Sequence, residues 1–177
     1  MQELSKGLEP STCYEYRLCA CNAFGWGPWS AECQGITLPA APPAPEVDAA
    51  SITPVAMRVF WEEAAETAVP IVAYKLQGRK QGEEVWSEIY EGPAMQELSK
   101  GLEPSTCYEY RLCACNAFGW GPWSAECQGI TLPAAPPAPE VDAASITPVA
   151  MRVFWEEAAE TAVPIVAYKL QGRKQGE

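Results

Sequence analysis

The stretch Leu102-Glu103-Pro104-Ser105-Thr106-Cys107-Tyr108-Glu109-Tyr110-Arg111-Leu112-Cys113-Ala114-Cys115-Asn116, with Gly119, Gly121 and Ser124 after it, decides the fold. Within it Tyr108, Tyr110, Leu112 and Ala114 alternate with Glu109, Arg111, Cys113 and Cys115. A period of two marks a strand with one face buried. Working outward, Met57, Val59 and Trp61 alternate with Arg58 and Phe60, and Tyr74 and Leu76 alternate with Lys75 and Gln77. Turn residues separate these runs: Gly78 and Gly82, Gly92-Pro93, Gly101, then Gly119 and Gly121-Pro122. Six or seven short strands in about 93 residues, with no helical period, predict an antiparallel β-sandwich. The Glu62–Glu66 stretch, limited by Pro70, reads as an exposed acidic loop.

Residues 1–83 recur unchanged as residues 95–177, a period of 94. The eight cysteines are therefore four per period, Cys13, Cys19, Cys21 and Cys33 and their copies Cys107, Cys113, Cys115 and Cys127. The most linker-like stretch is Leu38 to Pro45, repeated as Leu132 to Pro139, where dense proline favours extended backbone. A unit boundary there gives one complete domain, 42–134. It is flanked by the C-terminal part of a preceding unit, 1–39, and the N-terminal part of a following one, 136–177.

Composition removes several functions. Twelve Lys and Arg against 23 Asp and Glu give a net charge of −11, which repels phosphate backbones and excludes nucleic acid as a partner. The chain has no histidine, so Ser-His-Asp and Cys-His catalysis and His-ligated metal sites drop out. No apolar run approaches the ~18 residues of a membrane span, and MQELSKGLEP does not read as a signal peptide. No phosphate loop, nucleotide fingerprint or acid–base pair is present, so no cofactor and no enzyme activity are expected.

The quoted stretch resembles the later strands of a fibronectin type III domain, whose pattern runs Leu-x-Pro-x-Thr-x-Tyr, alternating core residues, then Ala-x-Asn and a glycine-bearing turn. Pro43, Pro45, Trp61 and Tyr74 fall where that family has its leading prolines, core tryptophan and third-strand tyrosine. The resemblance implies strands A, B and E in one sheet and C, C′, F and G in the other. Trp61, Tyr74, Tyr108 and Leu112 would then be core residues. Tyr108 would form a tyrosine corner, its hydroxyl bonded to backbone near Leu102 to Pro104. Glu97-Leu98-Ser99-Lys100 departs from the pattern by one apolar position, which suggests a bulge.

Three groups are candidate sites. Cys113 and Cys115 should point outward, with Cys127 opposite Cys113 if the turn centres on Gly119. Free thiols, a Cys113–Cys127 bridge and a three-thiolate metal site are all open, free thiols being favoured because no C-x-x-C pair or histidine completes a metal site. Unpaired thiols suit a reducing, intracellular compartment better than the extracellular space, and they are the sequence's one handle on localisation. The aromatic turn Phe118-Gly119-Trp120-Gly121-Pro122-Trp123 is the second group. Phe118, Trp120 and Trp123 are candidates for a protein interface, and for Trp123 a stack on Arg111 is the preferred alternative. Such a Trp–Arg stack is familiar in cytokine-receptor relatives, of whose signature Trp123-Ser124 is half. Third, Glu62, Glu63 and Glu66 could attract calcium but lack the spacing of a calcium loop, so a solvated loop is preferred.

The function expected is a structural or scaffolding array, rigid beads on short Pro-rich joints within a filament or a cytoskeletal or ciliary assembly. Its partners are proteins, including neighbouring copies of the same repeat. Alternatives are a receptor-type ligand-binding module using the Trp120 turn, an engineered permuted chain that polymerises, and a small protein that pairs by swapping. The flanking segments are complementary halves of one domain, lacking only the Glu84–Ala94 strand. Leu18 and Trp155 are therefore expected to be buried against each other's sheets across a molecular boundary.

Overall fold

The computed structural model describes residues 4–64, 68–158 and 162–175. Its centre is a two-layer sandwich. One layer has three strands in the order β5 (Glu46–Val47), β6 (Ala56–Phe60) and β9 (Gln96–Lys100). The other has five: β7 (Ala73–Lys80), β8 (Ser87–Gly92), β10 (Cys107–Asn116), β11 (Gly119–Trp120) and β12 (Cys127–Ile130). Here β10 lies between β7 on one side and β11 and β12 on the other, and β8 forms the outer edge beside β7. All pairings are antiparallel, as the alternation and short turns require.

The core is the set of inward residues that the alternation marks: Met57, Val59, Trp61, Tyr74, Leu76, Tyr108, Tyr110, Leu112 and Ala114. The Tyr108 hydroxyl accepts the Glu103 N–H at 2.9 Å, and the Tyr74 hydroxyl accepts the Ala64 N–H at 2.8 Å. Both tie a loop to a core ring. Strand β9 carries no bulge: it pairs with β6 in regular register, Met57 opposite Ser99. Ser99 is thus the inward residue, and its hydroxyl accepts the buried Tyr110 O–H at 3.2 Å. A hydrogen bond makes a polar residue tolerable at a core position, so no bulge is needed to turn Leu98 inward. The irregularity lies between β7 and β8, at Leu76/Gln77.

The flanks reproduce parts of this sandwich. β1 (Cys13–Tyr16) pairs with β4 (Cys33–Ile36) in the register of Cys107–Tyr110 with Cys127–Ile130, and β2 (Cys21–Asn22) pairs with β3 (Gly25–Trp26). At the other end β13 (Glu140–Asp142) pairs with β14 (Arg152–Phe154). The ten residues of β10 form one strand because β7 pairs along most of them. Their copies at 13–22 have no such neighbour and break into β1 and β2. Likewise residues 167–174, the copy of β7, form no strand. Identical sequences take different structure here because strand pairing is a tertiary contact.

Candidate interaction surface

The outward face of the five-stranded sheet is covered by a cation–aromatic layer. β10 presents Glu109, Arg111, Cys113 and Cys115 there, opposite Arg79, Gln77, Lys75 and Ala73 of β7. The Arg111 guanidinium lies between two rings, 4.2 Å from the Trp86 centroid and 4.4 Å from that of Trp123. It also donates to Gln77 Oε1 from Nε and Nη2, at 3.1 and 2.8 Å. Arg79 covers Trp86 at 4.3 Å and pairs with Glu109 at 2.8 Å and Glu126 at 3.6 Å. Lys75 sits over Trp120 at 4.7 Å, held by Glu91 at 2.8 Å and Glu88 at 3.3 Å. The hydrogen bond to Glu91 raises the Lys75 pKa, so the ammonium stays charged. Burial lowers the pKa of Arg111 from its ordinary value.

This layer corrects the expected exposure of Cys113, which is buried beneath it; Cys115 is half-buried. Cys127 pairs with Tyr110, not Cys113, and packs with the core on the inner side of the sheet. A Cys113–Cys127 bridge would have to pass through the sheet. Burial pushes both thiols up to about 11, so both stay protonated and unreactive at neutral pH. All eight cysteines are free, and among the described residues no group of three or more Cys, Asp or Glu is placed to hold a metal. Glu62 and Glu63 are exposed, while Glu66 lies outside the described residues.

The aromatic turn divides. Trp123 and Trp120 lie half-buried on the cations just named, and only Phe118 projects freely, 58% exposed. Trp86, which none of the strand alternations picks out, completes the layer. The register gives the signal that could have found it, since Trp86 precedes Ser87, the partner of Gly78, and so falls beside Arg79.

The same turn meets the N-terminal segment. Asn116 donates from Nδ2 to the Thr37 carbonyl at 3.1 Å and to Ser11 Oγ at 3.4 Å. The Val69 N–H donates to the Ser11 carbonyl at 3.0 Å. A Cβ on Gly121 would lie 2.5 Å from the Pro39 carbonyl oxygen, so only glycine permits this approach. At the opposite end, Val163 donates to the Ser105 carbonyl at 2.9 Å. Val163 and Ser105 are the copies of Val69 and Ser11, so one contact occurs twice.

Residues 41–130, just over half the chain, match the family described as "Fibronectin type III domain". The chain belongs to that family. It is 30% identical over 183 residues to human fibronectin type-III domain-containing protein 3A, covering 95% of this chain and 15% of that protein. The chicken protein of the same name is 32% identical over 155 residues, covering 85% and 13%. Mouse sidekick-2 is 30% identical over 161 residues, covering 85% and 7%. The chain thus spans about a sixth or less of the curated relatives it matches. Among solved structures, the sixth fibronectin type III domain of human fibronectin type III domain containing protein 3 superposes with a TM-score of 0.51. It is 27% identical, and the match covers 59% of this chain and 95% of that one. The fold is therefore the all-β fibronectin type III sandwich. No helix among the described residues is long and apolar enough to cross a membrane.

Proposed function

We propose that this chain is a non-catalytic segment of a tandem fibronectin type III array, a rod-like scaffold that acts through protein–protein contacts. In this reading residues 42–134 are one complete repeat, and 1–39 and 136–177 are parts of its neighbours. The observation that carries it is the contact made twice, Val69 to Ser11 and Val163 to Ser105. Asn116 and Gly121 add to the first of these junctions. A joint fixed by hydrogen bonds and a close backbone approach, on a Pro-rich linker of about eight residues, makes successive repeats stiff rather than freely hinged. The cation–aromatic layer and the exposed Phe118 are the surfaces such a rod offers to other proteins.

A receptor-type module using the Trp120 turn fits less well. Gly119 and Gly121 of that turn face Leu38 and Pro39, so the turn is engaged in the joint. Electron microscopy of four uninterrupted copies of the 94-residue period tests the reading. Evenly spaced globules in a straight rod are expected, and Gly121→Ala in each copy should make the rod bend at its joints. A compact particle, or a freely jointed string without the substitution, would overturn it.

A further inference from the structure

The joint between repeats is built from unlike ends. Main-chain carbonyls of Ser11, Thr37 and Pro39 converge on the central repeat. Ser11 receives the Val69 N–H at 3.0 Å, Thr37 receives Asn116 Nδ2 at 3.1 Å, and a Cβ on Gly121 would stand 2.5 Å from the Pro39 oxygen. Ser11 is aimed by its backbone: φ is +44°, in the left-handed region that a residue with a side chain seldom adopts. Its own N–H is taken up by the Leu38 carbonyl at 3.1 Å, so the turn keeps its donor inside and sends its carbonyl out. The central repeat has the same device at its other end. Ser105 has φ +46°, donates to the Leu132 carbonyl at 3.1 Å and offers its own carbonyl to Val163 at 2.9 Å. A left-handed serine held in both copies belongs to the turn itself, and backbone outliers of this kind cluster where function needs them. Residues 42–134 thus carry both sides of the joint, donors at one end and an aimed acceptor at the other.

Asn116 is 2% exposed, and its two polar atoms face different partners. Oδ1 accepts the Phe118 N–H at 2.9 Å within the aromatic turn. The exposed Asn22 accepts from Phe24 at the same 2.9 Å, so this bond is local to the turn and needs no neighbour. Nδ2 instead crosses the joint, to the Thr37 carbonyl and, at 3.4 Å, to Ser11 Oγ. We propose that Asn116 is the recognition residue of the joint, the group by which each repeat engages the repeat before it. Its partner is a main-chain end: the carbonyls of a fibronectin type III repeat whose Ser105 position is left-handed. An amide suits both tasks, because it accepts on one side and donates on the other. Since the groups it meets are chiefly main-chain, side-chain changes on the preceding repeat leave the joint intact while that turn keeps its shape. The recognition role rests on the repeat reading above, but a stiff rod could stand on Gly121 and the linker even if Asn116 had no part in it.

The test is Asn116→Asp in the whole chain, read by amide exchange at Val69 in nuclear magnetic resonance spectra. The carboxylate keeps the acceptor that Phe118 uses and turns a second acceptor toward Thr37, so only the joint is opposed. Val69 should exchange about ten- to a hundredfold faster than in the unaltered chain, the scale of one buried hydrogen bond left unmade. Val163, whose joint is untouched, should keep its rate, and the central melting transition should stay in place. In the unaltered chain the side-chain amide protons of Asn116 should exchange more slowly than those of Asn22, a comparison that needs no variant. Gly121→Ala should release Val69 as well. If Gly121→Ala releases Val69 and Asn116→Asp does not, the recognition role fails while the joint stands. Equal side-chain exchange at Asn116 and Asn22 would also overturn the role. Fast exchange of Val69 in the unaltered chain would overturn it together with the repeat reading.

Discussion

Replacing Trp86 by alanine tests the outer layer of the sheet without ambiguity, because residues 84–94 occur only once in the chain. The ring has two guanidinium neighbours, Arg79 at 4.3 Å and Arg111 at 4.2 Å. Each such contact is worth about 0.5–1 kcal/mol at a partly exposed site, so the pair accounts for about 1–2 kcal/mol. Trp86 is half-buried, and losing half the burial of a large apolar side chain adds about 1 kcal/mol. The expected loss is about 2–3 kcal/mol, a fall in melting temperature on the order of 10 °C for a domain of this size. Urea unfolding followed by tryptophan fluorescence measures it, and the slope should not change. Val85→Ala, one residue away and mostly exposed, should stay within about 0.5 kcal/mol. A cycle combining Trp86→Ala with Arg111→Ala should show coupling of about 0.5–1 kcal/mol. If Trp86→Ala costs no more than Val85→Ala and shows no coupling, the layer contributes nothing to stability and the reasoning fails.

Leu112→Ala should destabilise the central domain by about 2–5 kcal/mol, whereas Leu18→Ala in dilute protein should leave its melt unchanged; both are read by calorimetry. Iodoacetamide under native conditions should add three labels quickly, at Cys13, Cys21 and Cys33, and none at Cys113 or Cys127 until denaturant is added, as counted by intact mass. Stability should fall with alkali. Cys113 and Cys127 hold their protons to about 11 when folded, against 9.0 ordinarily, and Tyr110 to about 12 against 10.0. The folded state therefore keeps protons that the unfolded chain releases, so its stability is full below pH 9 and lost progressively from 9 towards 12. Urea midpoints across that range should decline, and a flat profile would contradict the burial of these groups.

The fold was legible because the Tyr108–Cys115 alternation and the Leu102–Thr106 approach leave little choice of face or turn. The outer surface was not. Alternation says that Cys113 points away from the core, but not that Trp86, Trp120 and Trp123 roof over that face. Cys127 was misplaced because a simple hairpin centred near Gly119 sets it opposite Cys113. The chain instead leaves β11 at Trp120 and rejoins at Cys127 opposite Tyr110, a difference of three residues. An odd shift turns a side chain to the other face. Ser99 shows the same limit: an unpatterned polar residue signalled a bulge, although its partner Tyr110 lies on the very next strand, in the opposite sheet, where only the packing of the two layers brings them together. The junction could not be seen at all, because Asn116 and Gly121 meet Thr37 and Pro39 only in three dimensions.

Hydrogen exchange on the dilute chain tests most directly the claim that identical segments are folded in the centre and unfinished at the ends. The peptide Tyr108–Asn116 has the same sequence as Tyr14–Asn22, so one mass reports both copies with the same intrinsic exchange chemistry. Residues 108–115 are paired with β7 along one edge, and 107–110 and 115–116 with β12 and β11 along the other; the N-terminal copies lack the β7 partner. The account predicts two isotope envelopes of equal area at every exchange time, one slow and one fast. One slow envelope in dilute, monomeric protein would contradict it.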